Sequence, residues 1–439
     1  MGPNSGASMR EATSTLTQGR AHAILPHLRW YICGLLFFAT TINYIDRQVI
    51  GLLKPVLERG LHWTESSYGW IIFAFQLSYA LMMPVAGRAI DYLGTRVGYL
   101  AAVAVWSLAA MSHALVGSAM GFSVARFALG VGESANFPAA LKAVADWFPQ
   151  RERAFATGIF NSGSNIGALA APLAVPYLAV HYGWRSAFLI TGLLGIVWMV
   201  LWAWFFRDPE EHPNLSEKER ELIRAGNGAS RKQQQIPYSR LLTDRPAWAY
   251  LIGKFLTDPV WWLYLFWLPG FLSRSYGLDL SALGLPLFTI YTASMIGSIG
   301  GGWISSALLK RGWTVNRARK TAMLLCAIAV TSAIFIMKTG GDLWLSVALI
   351  GIAAAGHQGF SANIFNLPSD VYPQSAVGSV VGLGGMGGAI GGLLAAPAVG
   401  YWLDWSHGAY GPLFAVAGCL YLVALAIMHL LVPNLERVS

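Results

Sequence analysis

Charge is scarce in this chain: only 12% of its 439 residues are Asp, Glu, Lys or Arg, while 55% are hydrophobic. A soluble domain of this length carries roughly 25% charged residues. A polytopic membrane protein is the class that accommodates so apolar a composition. Cysteine is scarcer still, with three in all. Cys33, Cys326 and Cys419 fall inside apolar segments without CxxC or metal-ligand spacing, which speaks against a disulfide framework or a zinc site and leaves buried packing as their role. No P-loop, nucleophile elbow or metal-ligand cluster is present, so neither ATP hydrolysis nor covalent catalysis is supported, and no cofactor is expected. Residues 382–387 match GxGxxG, but they lie in an apolar span with no strand before them, which favours close helix packing over dinucleotide binding. The stretch Met1 to Pro26 has neither the short apolar core nor the small-residue cleavage site of a cleavable signal, so the first helix is expected to be retained.

What the chain does contain is about twelve apolar windows of membrane-crossing length, at 28–57, 67–87, 97–117, 119–142, 154–180, 185–206, 246–272, 282–308, 319–338, 343–366, 377–402 and 410–432. Lipid requires backbone groups to be satisfied internally, so the expected fold class is an all-α bundle of twelve transmembrane helices. The formal net charge of +9 is carried by loops of one parity rather than by an aromatic-studded face, which fits membrane topology and not nucleic acid. Arg88 and Arg96, then Lys142, Arg151 and Arg153, then Lys310 to Lys320 mark one side. The positive-inside rule makes that side cytoplasmic, with both termini and the long central loop on it. Five segments follow: a tail at 1–26, a six-helix bundle at 27–206, a linker at 207–245, a second six-helix bundle at 246–432 and a tail at 433–439. In the linker, Ser216 and Glu219 have capping-box spacing and predict a short surface helix that acts as a tether.

An internal repeat supports two halves. Asp146-Trp147-Phe148-Pro149-Gln150 recurs as Asp370-Val371-Tyr372-Pro373-Gln374, and Gly158, Gly163 and Gly167 stay in step with Gly382, Gly387 and Gly391. Two pseudo-symmetric halves place a substrate site near the midplane, at their interface.

Charges inside the spans point to the same depth. Asp46 and Arg47 sit at the middle of the first span, where a charge is tolerated mainly in a helix that faces the bundle interior or a water-filled cavity. Tyr44 shares a face with Arg47, whereas Asp46 points about 100° away. A guanidinium grips a carboxylate bidentately, which makes Arg47 the preferred carboxylate anchor, the alternative being simple neutralisation by Asp46. Tyr44 and Tyr79 can offer hydroxyls to a polar solute or serve as packing. Arg126 and Glu133 are two turns apart on nearly one face, so they read either as a coupling pair or as a fixed ion pair, with Asp46 and Glu133 the candidate proton carriers. Asn161 and Asn165 offer neutral hydrogen bonds or helix contacts. In the second half Trp261 and Tyr264 form an aromatic wall with Trp262 and Trp267, and Gln358, Ser361 and Asn363 add polar groups. His357 is expected to be a hydrogen-bonded packing residue outside the proton pathway.

Gly87-Arg88-Ala89-Ile90-Asp91-Tyr92-Leu93-Gly94-Thr95-Arg96 resembles the GxxxDxxGxR loop signature of the major facilitator superfamily, with a degraded counterpart in the second half, where Ser306 stands in place of the acid. The resemblance implies a gating role for Gly87, Asp91, Gly94 and Arg96, with Gly87 expected to permit close helix approach. Within that superfamily the chain is similar to the anion:cation symporter branch, and most similar to bacterial hexuronate transporters, through Asn43-Tyr44-Ile45-Asp46-Arg47-Gln48, the Gly132-Glu133-Ser134-Ala135-Asn136 core, Gly183-Trp184-Arg185, the block from Thr257 to Pro269, and His357 to Phe365. Gly270 departs from the lysine that close relatives are expected to carry there. The resemblance implies a monomeric, proton-coupled symporter in a bacterial inner membrane that takes up a sugar-acid anion such as galacturonate or glucuronate, with Asp46, Arg126 and Glu133 in coupling. An aldonate or aldarate carrier is the neighbouring alternative, and a transport-silent sugar-acid sensor the alternative from another class.

Overall fold

The computed structural model of the chain describes residues 27–227, 238–372 and 374–435. The two terminal tails, apart from His27 and residues 433–435, and the middle of the linker lie outside the described residues. No strand occurs among those described. The first half is built from α1 (Leu28–Leu61), α2 (Glu65–Ser112), α3 (Ala119–Glu133), α4 (Asn136–Trp147), α5 (Gln150–Tyr182) and α6 (Trp184–Phe205). The linker carries α7 (Glu217–Asn227) and α8 (Tyr238–Leu241). The second half comprises α9 (Arg245–Phe266), α10 (Leu268–Tyr276), α11 (Gly284–Lys310), α12 (Val315–Val330), α13 (Leu343–Ile364), α14 (Leu367–Val371), α15 (Gln374–Trp405) and α16 (Gly411–Leu431).

These elements make twelve crossings. The long α2 is two of them, broken at Gly94, whose φ of 78° and ψ of 158° are open to glycine and strained for other residues. The crossings formed by α3 with α4, α9 with α10, and α13 with α14 are each interrupted near the middle or end, and α12 continues as a 3₁₀ turn over Thr331–Lys338. Seven described segments are long and apolar enough to span a bilayer by composition alone. The crossing α1 instead buries Asp46, Arg47 and Lys54. The face where α1 starts and the linker lies is called here the linker face, and the opposite one the far face.

The glycine repeat acquires a structural meaning. A Cβ on Gly163 would lie 2.4 Å from the Phe37 carbonyl oxygen and one on Gly167 2.6 Å from that of Thr41, so α5 presses directly on the backbone of α1. In the second half a Cβ on Gly387 would lie 2.7 Å from the Leu251 carbonyl oxygen and one on Gly391 2.3 Å from that of Phe255, so α15 presses on α9 in the same way. This register sets Tyr44 opposite Asp258 and Arg47 opposite Trp261 in the two-fold relation. Small residues allow such approach where no hydrophobic force drives helices together. The contact of α11 with α13 is as close, with a Cβ on Gly301 placed 2.3 Å from the Gly359 Cα. Gly301→Ala is therefore expected to destabilise the second half by about 1–3 kcal/mol, seen as a lower thermal midpoint in detergent.

The capping expectation is half met. Ser216 Oγ accepts from Glu219 N at 3.3 Å, but the Glu219 carboxylate turns away from its own helix and accepts from the Leu28 and Arg29 backbone amides at 3.1 and 3.3 Å and from Arg29 Nη1 at 2.6 Å. An anion at the start of α1 is stabilised by the unsatisfied amides there, and the linker is thereby fixed to the first half. His212 makes the same kind of attachment: its Nδ1 accepts from Asn214 N and its Nε2 faces the Phe205 carbonyl. Partial burial holds this imidazole below its ordinary range.

Candidate functional site

The midpoint of α1 carries the site. Arg47 is 3% exposed, and its Nε donates to Glu133 Oε2 at 2.5 Å. Its guanidinium carbon lies 4.6 Å from the Tyr79 ring centroid, 5.1 Å from that of Tyr44 and 5.3 Å from that of Phe75. Tyr44 thus shares the Arg47 face as its spacing predicts, and Tyr79 reaches it from α2. Of the two terminal guanidinium nitrogens, Nη2 is buried without a protein hydrogen bond. A planar cation held on one edge by a carboxylate and sandwiched by aromatic rings keeps an edge for a second carboxylate.

Two pairings that the sequence leaves open do not form. Arg47 is not neutralised by Asp46, which turns toward α6, with Thr191, Arg126 and Glu133 around it and neither carboxylate oxygen closing a hydrogen bond of normal geometry. Arg126 does not pair with Glu133. Seven residues along α3 put both on one face but separate them by ~10 Å of rise, beyond the reach of an ion pair, and Glu133 finds Arg47 at its own level instead. Arg126 Nη2 donates to the Arg47 carbonyl at 3.3 Å, while its Nε and Nη1 have no protein partner. Asn43, Gln48 and Gln76 are also buried without hydrogen-bond partners. Such unmatched polar groups cost a protein stability and mark places where something else is bound.

Asn161 and Asn165 lie on the face of α5 opposite the two glycines that meet α1. Pro172 shares that face, and a Cβ on Gly284 of α11 would be 2.9 Å from its carbonyl oxygen, so the two asparagines look toward the second half. There Trp261 stacks on His357 at 4.9 Å and 3°, and His357 Nδ1 is hydrogen-bonded to the Tyr421 hydroxyl, the packing role expected of it. Gln358 and Ser361 are half-buried, and Tyr264 is fully buried with an unpartnered hydroxyl. Asn363 Nδ2 donates to the Gly301 and Gly359 carbonyls, both at 2.9 Å, which ties α13 to α11, while its Oδ1 is buried without a hydrogen-bond partner.

The loop signature divides. A Cβ on Gly87 would meet nothing within 4 Å, so close approach is not its role. Gly94 is the break in α2, and Arg96 Nη2 donates to the Ala203 carbonyl at 2.7 Å, near the end of α6, where a cation is favoured. The Asp91 side chain lies outside the described residues.

Two charge groups went unnoticed in the sequence. Lys254 Nζ pairs with Asp258 Oδ1 at 2.8 Å within α9, a spacing of four that is legible in principle. The other group joins the halves at the far face. Lys54, with no exposed surface, pairs with Glu58 at 3.0 Å and Glu65 at 2.8 Å; Arg274 from α10 reaches Glu65 at 3.0 Å; and Asp404 from α15 accepts the Glu65 and Ser66 backbone amides at 2.9 and 2.7 Å. A Cβ on Gly270 would lie 2.8 Å from Lys54 Nζ, so the bare glycine is what admits this lysine. An open cleft of about 570 Å³, lined among others by Glu58, Arg59, Arg274 and Asp404, lies on the outer side of this network. Toward the far face the halves are also joined by Tyr68 Oη donating to the Phe266 carbonyl and Trp70 Nε1 donating to Tyr401 Oη, both at 2.9 Å, and that face is closed. Lys54→Met leaves Glu58 and Glu65 with the partly exposed Arg274 as their shared cation and is expected to weaken that closure by about 3 kcal/mol. Faster maleimide labelling of Ala396→Cys, now 3% exposed in the α2–α15 contact, is the measurement.

Comparison with known proteins agrees with this geometry. Residues 36–396 match the Major Facilitator Superfamily. The chain is 32% identical over 412 residues to the hexuronate transporter of Escherichia coli (strain K12), covering 93% of this chain and 94% of that protein. It is 36% identical over 306 residues to the galacturonate transporter of Dickeya chrysanthemi, covering 69% and 88%. Among solved structures, a bacterial homologue of the human lysosomal transporter Spinster, inward-facing and occupied, superposes with a TM-score of 0.74 at 20% identity, covering 94% of this chain and 99% of that one. The D-xylose-proton symporter superposes with a TM-score of 0.72 at 12% identity, covering 93% and 99%. With twelve crossings in two pseudo-symmetric halves and charges buried at their middle, the chain is a multi-pass membrane transporter rather than an enzyme, and it belongs to the Major Facilitator Superfamily.

Proposed function

We propose that the chain is a proton-coupled symporter that takes up a monoanionic sugar acid, a hexuronate such as galacturonate or glucuronate, by alternating access in a bacterial inner membrane with both termini cytoplasmic. The observation that carries this reading is Arg47, buried at the midplane, caged by Tyr44, Phe75 and Tyr79, and held by Glu133 on one edge only. Around the seam Arg47, Arg126 and Lys254 balance Asp46, Glu133 and Asp258. A monoanion that enters with one proton leaves that balance intact, whereas the anion alone adds an uncompensated charge in a medium where such a charge is expensive. The identities of the hexuronate and galacturonate transporters named above support the substrate class.

In the proposed cycle the sugar carboxylate docks on the free edge of Arg47, and Glu133, then sharing one guanidinium with a second carboxylate, takes a proton, with Asp46 as the second acceptor and Arg126 setting their balance. The halves then rock about the seam. Gly94 and Arg96 belong to the loop that the halves move against, and Asn161, Asn165, Trp261, Tyr264, Gln358 and Ser361 offer the hydroxyl-binding and aromatic surfaces. With the linker face cytoplasmic, the closed far face makes this arrangement inward-facing. The protein is proposed to work as a monomer. Counterflow in proteoliposomes loaded with a pH-sensitive dye tests the proposal, with uronates, aldonates, aldarates and neutral hexoses as competitors. Hexuronate exchange with proton movement supports it, whereas binding without uptake favours a sensor.

A further inference from the structure

We propose that Asp258 of α9 is a second-half subsite that accepts the hydroxyl protons at the neutral end of the sugar acid and makes the carrier selective for monoanionic over dianionic sugar acids. The inference rests on the transport reading above and deepens it.

Lys254 and Asp258 form an ion pair at 2.8 Å, with side chains 6% and 21% exposed. Lys254 is committed on both sides, to Asp258 and to the Phe365 ring, whose centroid is 4.1 Å from its Nζ. Asp258 is the member of the pair with access. Nothing in the packing of α9 requires a charge here, and a buried ion pair is poor evidence for stability by itself. Its position is telling. The two-fold register sets Asp258 at the station of Tyr44, and each faces a glycine of the helix packed beside it. A Cβ on Gly167 would lie 2.9 Å from the Tyr44 Cβ, and one on Gly388 2.0 Å from Asp258 Oδ2. The Tyr44 ring covers Arg47 at 5.1 Å, so the register sets the Arg47 and Tyr44 pair of one half and Asp258 of the other at corresponding stations. Beside it Gln76 of α2 and Trp262 of α9 meet at Gly392, whose Cβ would lie 3.3 Å from Gln76 Nε2 and 3.0 Å from Trp262 Nε1. Gln76 is 1% exposed, and both of its amide atoms lack a protein partner, which leaves hydrogen-bonding capacity open at the seam.

The chemistry of the two ends differs. Arg47 is donor-only and suits a carboxylate, whereas a carboxylate is acceptor-only and takes the two protons that a vicinal diol offers, in charge-assisted bonds. A sugar acid with its carboxylate on Arg47 and its diol on Asp258 spans the halves and gives them a shared ligand. An aldarate has a carboxylate at each end. Its second anion would meet Asp258 as a like charge, which is discrimination by repulsion.

The experiment is competition against labelled galacturonate counterflow in proteoliposomes containing the full chain, with unlabelled galacturonate, galactonate and galactarate. In the wild type galactarate is expected to compete about ten- to a hundredfold more weakly than galacturonate, the range of one charge-assisted contact. Asp258→Asn is expected to raise the galacturonate KM by about tenfold and to bring galactarate level with it. The double variant Asp258→Asn with Lys254→Gln, which leaves no unpaired cation, should shift the ratio the same way. Galactarate competing as well as galacturonate in the wild type overturns the assignment, and this measurement needs no variant to fold. An unchanged ratio in the variants overturns it equally. Absence of any sugar-acid counterflow in the wild type would instead defeat the transport reading itself, so the two failures are distinguishable.

Discussion

Arg47→Lys is expected to raise the KM for galacturonate by about one to two orders of magnitude, while the protein folds and inserts as before. Lysine keeps the positive charge, so the pairing with Glu133 survives and no carboxylate is left uncompensated in the bundle. What is lost is the fork. An ammonium cannot hold Glu133 on one edge and present a second, parallel pair of donors to the substrate, and its compact charge fits the Tyr44, Phe75 and Tyr79 cage less well than a plane does. Counterflow kinetics, with a thermal midpoint measured on the same preparation, separate recognition from folding. An unchanged KM would remove Arg47 from the anchoring role.

Glu133→Gln is expected to abolish accumulation driven by a pH gradient while leaving exchange of internal for external substrate measurable. Glutamine fills the same volume and can still face Arg47 Nε, now 2.5 Å from Glu133 Oε2, but it neither gains nor loses a proton. The variant mimics the protonated carrier permanently. It should bind the anion, because Arg47 is no longer neutralised, and it should cycle only when loaded. Dye-loaded vesicles with the gradient imposed, compared with counterflow at equal pH, give both readouts. Full uphill transport in this variant would assign coupling to Asp46 or to another group.

The crossings, the two-fold repeat and the depth of the charged cluster were legible in the sequence because each depends on a period or a length. The partners of the charges were not. Spacing along α3 placed Arg126 and Glu133 on one face, yet axial distance decides an ion pair, and the helix brought from elsewhere in the chain supplied Arg47. Asn363 was legible as a polar group in its span, but the two carbonyls that its Nδ2 meets were not. Gly87 looked like a contact glycine from its motif, and no described residue lies within 4 Å of a Cβ there. The far-face network was out of reach for a plainer reason: Lys54, Glu65, Arg274 and Asp404 belong to four helices whose ends meet only once the halves are docked.

The matching glycine contacts of α5 on α1 and of α15 on α9 bear on the stroke itself. With a carbonyl oxygen of one helix seated where a side chain of its neighbour would otherwise stand, sliding by a residue drives Cβ atoms into backbone. Each such couple is therefore interlocked like cogs and has to travel as a block. Paired spin labels placed on α1 and α5 should keep one fixed separation throughout turnover, whereas a pair straddling α2 and α15 should report two.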